Sequence, residues 1–299
     1  MKEPLPRFPE FKYYQPQSTK EALEFLTKHA DQSQPYAGGT DFFNQVRDRK
    51  IHPEYLVDLK SIQGFQEIKF DPKKGLTIGA AVRLNEVINH PEIRKYYPVL
   101  GSASQEVGGY QLRNRATLVG NLCNASPCGD TIGPCLVYSA KVHIIGPSGK
   151  HAVDLKDFFK DPGKTCLQPG EIVESISFPI PQPDSKGTYQ SIGRNKFGDL
   201  AIAAVTVLGY ENKKNSSGYE FLLALTAVAP TVIFAEEAQE MLKAESITRE
   251  ILEQAASACA EVCKPIDDIR SSAQYRKDMI HMLALRGLEE TCKLLGLPL

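Results

Sequence analysis

The chain has 299 residues, 42% hydrophobic and 24% charged, the balance of a globular protein and not of a disordered one. At ~150 residues per domain, the length predicts two or three compact units. Thirty-five Lys and Arg against 36 Asp and Glu leave a formal charge of −1. That balance gives no general attraction for polyanions and argues against a nucleic-acid binder. The longest apolar stretches, 200–208 and 221–229, are about half the length of a membrane-spanning helix. The start, MKEPLPRFPEFKYY, has no apolar h-region, so no secretory signal is expected. Seven cysteines, an odd number, then predict reduced thiols and a cytoplasmic protein, and exclude a secreted disulfide scaffold.

The opening reads as strand, helix, strand. Ser18 precedes an amphipathic run over 19–29, with Glu21 placed as a capping-box partner. Pro35-Tyr36-Ala37 enters Gly38-Gly39, after which Thr40 or Asp41 is expected to cap a short helix through Asp48. Tyr55-Leu56-Val57-Asp58-Leu59 is a compact strand signal. Beyond it come short strands broken by glycine, clearest at 75–81, 141–145 and 172–178, interrupted by helices near 84–89 and 97–107. The stretch 179–187 holds three prolines and no periodicity, so a domain boundary is expected there. Apolar strands over 201–210 and 219–228, joined by a polar connector, predict an antiparallel hairpin. Helices are expected near 235–243, 248–263 and 272–295. In the last, Tyr275, Met279, Met282, Leu285, Leu288, Cys292 and Leu295 recur at helical spacing.

Two segments carry chemistry. Ala37-Gly38-Gly39-Thr40-Asp41 runs through two glycines into a helix start. There the backbone can approach a ligand closely, and unpaired N–H groups suit a phosphate. The alternative is a plain tight turn. The second segment, Gln111 to Asp130, packs hydroxyls, amides, glycine and carboxylate into a polar run expected to be loop-like. Buried polar groups at that density need partners, which a large polar cofactor would supply.

Together these segments resemble the FAD-binding subunit of the molybdenum hydroxylases, the family of bacterial xanthine, carbon monoxide and nicotinate dehydrogenases. Ala37 to Asp41 is similar to that family's A-G-G-[TH]-[DS] motif. Asn114-Arg115-Ala116-Thr117-Leu118-Val119-Gly120-Asn121-Leu122 is similar to its second motif, followed by Ala125-Ser126-Pro127 and Asp130. Asp268-Ile269-Arg270-Ser271-Ser272-Ala273, with Tyr275 and Arg276, matches a third near the C-terminus. Where the family usually has glycine, this chain has Val119.

The resemblance implies an α+β protein: a two-subdomain FAD-binding fold of the vanillyl-alcohol oxidase/PCMH type, then a small antiparallel sheet with a helix bundle. The implied units are residues 1–60 (FAD-binding subdomain 1), 61–180 (subdomain 2) and 181–299 (C-terminal domain). The flavin's pyrophosphate is expected between Ala37, Gly38, Gly39, Thr40 and Asp41 on one side and Thr117, Gly120 and Asn121 on the other. Asn124 and Asp130 are expected toward ribose or adenine-side groups, Cys123 beside the flavin or the core, and Tyr189 against the isoalloxazine ring. The flavin is the reactive group, with no catalytic side chain and no metal in this chain. The implied partners are a small subunit with [2Fe–2S] clusters and a large subunit with the molybdenum cofactor. Electrons would pass to NAD⁺ or another acceptor, in a complex most similar to xanthine or purine dehydrogenases. The rival readings are a stand-alone FAD-dependent oxidoreductase of the same fold and an assembly subunit that has lost flavin.

Other signals are weaker. Gly163-Lys164-Thr165 mimics the end of a P-loop, but the required first glycine falls on Phe158. The histidines show no zinc-site spacing. Cys123, Cys128 and Cys135 are close enough in sequence to suggest an iron–sulfur cluster. One branch of the family carries such a cluster here, in an inserted loop this chain lacks, and buried thiols are expected instead. Cys259 and Cys263 share a helix face and are expected to pack in the core.

Overall fold

A computed structural model describes residues 8–195 and 198–298. Part of the N-terminal segment read for an export signal, residues 1–7, lies outside the described residues. The predicted strand–helix–strand opening forms a three-stranded parallel sheet. Ser33–Tyr36 and Lys12–Tyr14 flank Tyr55–Asp58, with helix Thr19–Lys28 as the crossover. Ser18 Oγ accepts from Glu21 N at 3.2 Å as predicted. The capping box is incomplete, because the Glu21 carboxylate takes Gln17 N and the Tyr14 hydroxyl instead. Asp41 stands at the start of helix Phe42–Arg47 without a side-chain capping bond, against the sequence expectation.

A five-stranded antiparallel sheet follows. Its order is Ile68–Asp71, Gly75–Gly79, Ile172–Phe178, Lys141–Gly146, Gly149–Asp154. Its buried face, with Leu76, Ile78, Val142, Ile144, Ile176 and Phe178, forms one core with the helices between Leu84 and Val137. The run 111–130 corrects the expectation of a loop. It holds helices Tyr110–Arg113 and Leu118–Asn124, the latter ending on Ala125 in the left-handed region at φ 47°.

A third, four-stranded antiparallel sheet contains the predicted hairpin, Ala203–Glu211 paired with Tyr219–Thr226, with Lys186–Ile192 on its outer side. Helices Glu236–Ala244, Arg249–Glu261 and Ala273–Leu294 cover one face and build a second core that includes Cys259, Cys263 and Cys292. The α+β architecture therefore agrees with the sequence reading. Helix Ile132–Val137 lies against the other face of this sheet. A Cβ on Gly133 would come within 2.5 Å of Thr206 Oγ1, so the two halves meet with no room for a side chain there. Among the described residues, no helix is long and apolar enough to cross a membrane.

Candidate functional site

The two glycine-bearing segments meet. A Cβ on Gly38 would lie 2.4 Å from the carbonyl oxygen of Arg115 and 3.0 Å from Cα of Ala116, so backbone packs directly on backbone. Gly39 has φ +76°, a conformation glycine adopts freely and other residues resist. The carbonyls of this junction are engaged from within. Lys60 Nζ donates to Ala37 O (3.2 Å), Phe43 N to Gly39 O, Asn44 Nδ2 to Thr40 O and Gln45 N to Asp41 O. With these carbonyls occupied, the N–H groups ahead of Phe43, which a helix start leaves without an intrahelical partner, are open to a ligand.

Lys60 is itself fixed. It pairs with Asp58 Oδ1 at 2.7 Å and lies 4.3 Å from the centre of the Tyr36 ring. Asp58, 3% exposed, also accepts from the hydroxyls of Tyr13 (2.6 Å) and Tyr36 (3.2 Å). Burial pushes the Asp58 carboxyl up, and the Lys60 ammonium and Tyr13 hydroxyl outweigh it, so its pKa lies below the ordinary value. Sequence reasoning missed this anchor. No local pattern announces it: Tyr36 and Asp58 face each other only in the register of the assembled parallel sheet.

On the opposing segment, Thr117 Oγ1 accepts from Gly120 N at 2.9 Å and caps helix Leu118–Asn124, of which Asn124 is the last residue. Asn121 Oδ1 accepts from the buried Thr131 hydroxyl at 2.7 Å, which ties the helix to the next turn. Val119 is helical and 3% exposed, turned into the core, so the missing glycine leaves this helix intact. Cys123 is half-buried against the core, and burial pushes its thiol up to about 12, far from a reactive thiolate. Cys128 and Cys135 are buried. Among the described residues, no three His, Cys, Asp or Glu side chains gather at metal-binding spacing.

Asp130, in the turn after helix Leu118–Asn124, and Tyr189, on strand Lys186–Ile192, are brought together. The Tyr189 hydroxyl donates to Asp130 Oδ1 at 2.6 Å. Burial pushes Asp130, 7% exposed, up to about 6; the Tyr189 bond opposes the rise and nearby Glu106 adds to it. Tyr189 is raised well above its ordinary value by burial and then by the Asp130 charge. Asp130 lines an open cleft of about 300 Å³ with Glu106, Ser191, Arg194 and Asp199. A second cleft of about 560 Å³ shares Glu106 with it and is lined by Asn85, Tyr110 and Arg113. Arg113 holds the adjoining turn by donating to the carbonyls of Gln105, Val107 and Gly108. Neither cleft is lined by the Ala37–Asp41 junction. The structure thus holds two separate features, a close backbone junction at Gly38 and a polar cleft at Asp130.

Comparison with known proteins identifies the class. Residues 9–181 match the FAD binding domain in molybdopterin dehydrogenase, and residues 188–291 match the CO dehydrogenase flavoprotein C-terminal domain. The chain belongs to this family: it is an FAD-binding subunit of the molybdenum hydroxylase type and an oxidoreductase component. It is 29% identical to the carbon monoxide dehydrogenase medium chain of Hydrogenophaga pseudoflava over 94% of this chain and 96% of that one. It is 26% identical to a putative xanthine dehydrogenase FAD-binding subunit of Escherichia coli, covering 95% of this chain and 97% of that one. Its fold superposes on the solved structure of the Hydrogenophaga pseudoflava carbon monoxide dehydrogenase with a TM-score of 0.91. The sequences there are 28% identical, over 96% of this chain and 99% of that one.

Proposed function

We propose that this chain is the electron-transfer subunit of a three-subunit molybdenum hydroxylase. FAD bound here would supply redox chemistry, taking electrons from [2Fe–2S] clusters of a small partner subunit and delivering them to NAD⁺ or another acceptor. A large partner subunit with the molybdenum cofactor would oxidise the substrate. Residues 1–60 and 61–180 would form the flavin-binding subdomains and 181–299 the C-terminal domain.

The observation that carries this reading is the contact of Gly38 with Arg115 and Ala116, which brings the two motif segments into one cradle. Ala37, Gly38, Gly39, Thr40 and Asp41 would hold the pyrophosphate from one side. Thr117, Gly120 and Asn121 would hold it from the other. Asn124 would reach the ribose or adenine side, and Cys123 would pack beside the cofactor without reacting. Asp130, on the cleft, and Tyr189, bonded to it, would act as a pair toward the ring end, in place of the ribose or adenine side expected of Asp130 from the sequence.

A purine is the substrate class to test first, since relatives include xanthine dehydrogenase subunits. Other relatives serve enzymes named for carbon monoxide, glyceraldehyde and nicotinate, so the substrate is expected to be set by the large subunit. Seven free thiols support a reducing, cytoplasmic setting.

Acid release of the cofactor followed by chromatography tests the flavin. Stoichiometric FAD is expected, and FMN, or no uptake from added FAD, would overturn the reading. Reconstitution with both partner subunits should restore substrate-to-NAD⁺ turnover that the isolated chain lacks. Substrate oxidation by this chain alone would favour a stand-alone flavoenzyme.

A further inference from the structure

The C-terminal motif Asp268–Arg276 belongs to neither part of the site, yet it closes on the turn that carries Asp130. Asp268 is its hub. Oδ1 accepts from Arg270 N (2.9 Å), Ser271 N (3.2 Å) and Arg276 Nη2 (2.8 Å), and Oδ2 from Arg270 Nε (3.0 Å) and Nη2 (2.7 Å). Burial acts to raise this carboxyl; the two guanidinium groups and the two N–H groups outweigh it and hold the pKa well below the usual range.

The two arginines do different work. Arg276 is 2% exposed and donates through Nη1 to Ile202 O (2.6 Å) and Ala227 O (3.1 Å), joining the ends of two strands of the third sheet. Its removal would take their donor from two buried carbonyls, which damages the fold. Arg270 is half-buried and reaches outward from the hub. Its Nη1 lies 3.4 Å from Cys128 Sγ, in the turn that runs from Ser126 to Asp130.

That turn is tied on its other side by Ala227 N, which donates to Pro127 O at 2.8 Å. Cys128, Ala201, Ala204 and Ala227 form a small buried cluster, and the Tyr189 ring packs on it. Capping of the long helix accounts for Ser272, whose Oγ accepts from Tyr275 N, but it does not account for Arg270. Nor does apolar burial hold the segment down, since Ile269 beside Arg270 is 96% exposed.

We propose that Arg270 is a positioning residue: through Cys128 it fixes the Ser126–Asp130 turn, and with it Asp130 on the cleft and its bond to Tyr189. Its consequence for flavin rests on the reading that this chain binds FAD. Arg270 can be removed without dismantling the hub, because Arg276 and two backbone N–H groups stay on Asp268.

The full-length chain, stripped of flavin, is titrated with FAD as wild type, Arg270→Met, Cys128→Ala and the double variant. Arg270→Met should raise the Kd at least tenfold and shift the visible bands of bound FAD, with the flavin-free melting temperature within a few degrees of wild type. Cys128→Ala should move both in the same direction, and the double variant should be no worse than the weaker-binding single. Wild-type Kd and spectrum in Arg270→Met, or simple addition of the two effects, would overturn the proposal. Should Arg270→Met fail to fold, Cys128→Ala decides alone, and unchanged Kd and spectrum there would count against it.

A separate measurement needs no flavin. Peptide mapping after iodoacetamide treatment should show Cys128 alkylated at least tenfold faster in flavin-free Arg270→Lys than in wild type, because a lysine lacks the fork that spans Asp268 and Cys128. An unchanged rate would overturn the proposal. A wild-type chain that takes up no FAD would overturn the flavin reading, and the alkylation rate would then judge Arg270.

Discussion

Gly38 and Arg115 touch through bare backbone: a first side-chain carbon on Gly38 would sit 2.4 Å from the Arg115 carbonyl oxygen. Backbone cannot withdraw as the end of a flexible side chain can, so Gly38→Ala must push the two segments apart. Overpacking of this kind costs about 1–3 kcal/mol. Gly38→Ala is therefore expected to lower the unfolding free energy from urea titration by that amount and to weaken FAD binding at least tenfold. Wild-type values for both would mean that the segments do not form one cradle.

Gly39 gives a different outcome. Its φ of +76° and a Cβ position 2.7 Å from the Phe43 ring make any side chain a problem for the fold as well as for a phosphate. Left-handed backbone at a non-glycine residue costs about 1–3 kcal/mol. Gly39→Val should lose that stability in flavin-free protein, beyond an affinity loss of at least tenfold. Equal urea midpoints for wild type and variant would refute the strain.

Lys60 tests the anchor beneath the cradle. Lys60→Met leaves Asp58 buried with only its phenol and backbone donors, and frees the Ala37 carbonyl. Removing one partner of a buried polar pair costs about 1–3 kcal/mol. That loss is expected in chemical denaturation, together with weaker FAD binding. Retained stability with lost FAD would show instead that Lys60 serves only the ligand.

What the sequence made legible follows from the range of each interaction. The strand–helix–strand opening, the hairpin and the last three helices are written in local periodicity, and they appear where expected. Segment 111–130 misled because Thr, Asn and Gly are weak helix formers. Its helices are short, and one is held by a Thr117 cap and the bond from Thr131 to Asn121. The Asp58 anchor was hidden because Tyr13 and Tyr36 come from strands that flank Tyr55–Asp58 only once the parallel sheet is assembled. The Arg270–Cys128 contact joins positions 142 residues apart, and no local pattern announces it. Tyr189 was chosen for its expected contact with a flavin; its bond to Asp130 depends on how the third sheet meets the Ser126–Asp130 turn.

The Asp130 carboxyl gives a pH dependence with a definite sign. Burial raises it from 3.8 to about 6, and above that pH the folded chain must hold a poorly solvated charge. The folded state therefore binds this proton more tightly than the unfolded state. Its contribution to stability is complete below pH about 4, declines as the pH rises, and is lost once the pH passes about 6. The shift of roughly two pH units corresponds to about 3 kcal/mol. Asp130→Asn has no such proton to lose. Urea unfolding of flavin-free protein from pH 4 to 7 should show wild type falling relative to Asp130→Asn by up to that amount. In Tyr189→Phe, the loss of the hydroxyl that stabilises the ionised carboxylate should move the decline to higher pH. Parallel wild-type and Asp130→Asn curves across this window would mean that the carboxyl titrates as if in water, and that the Tyr189 bond does not form in a buried site.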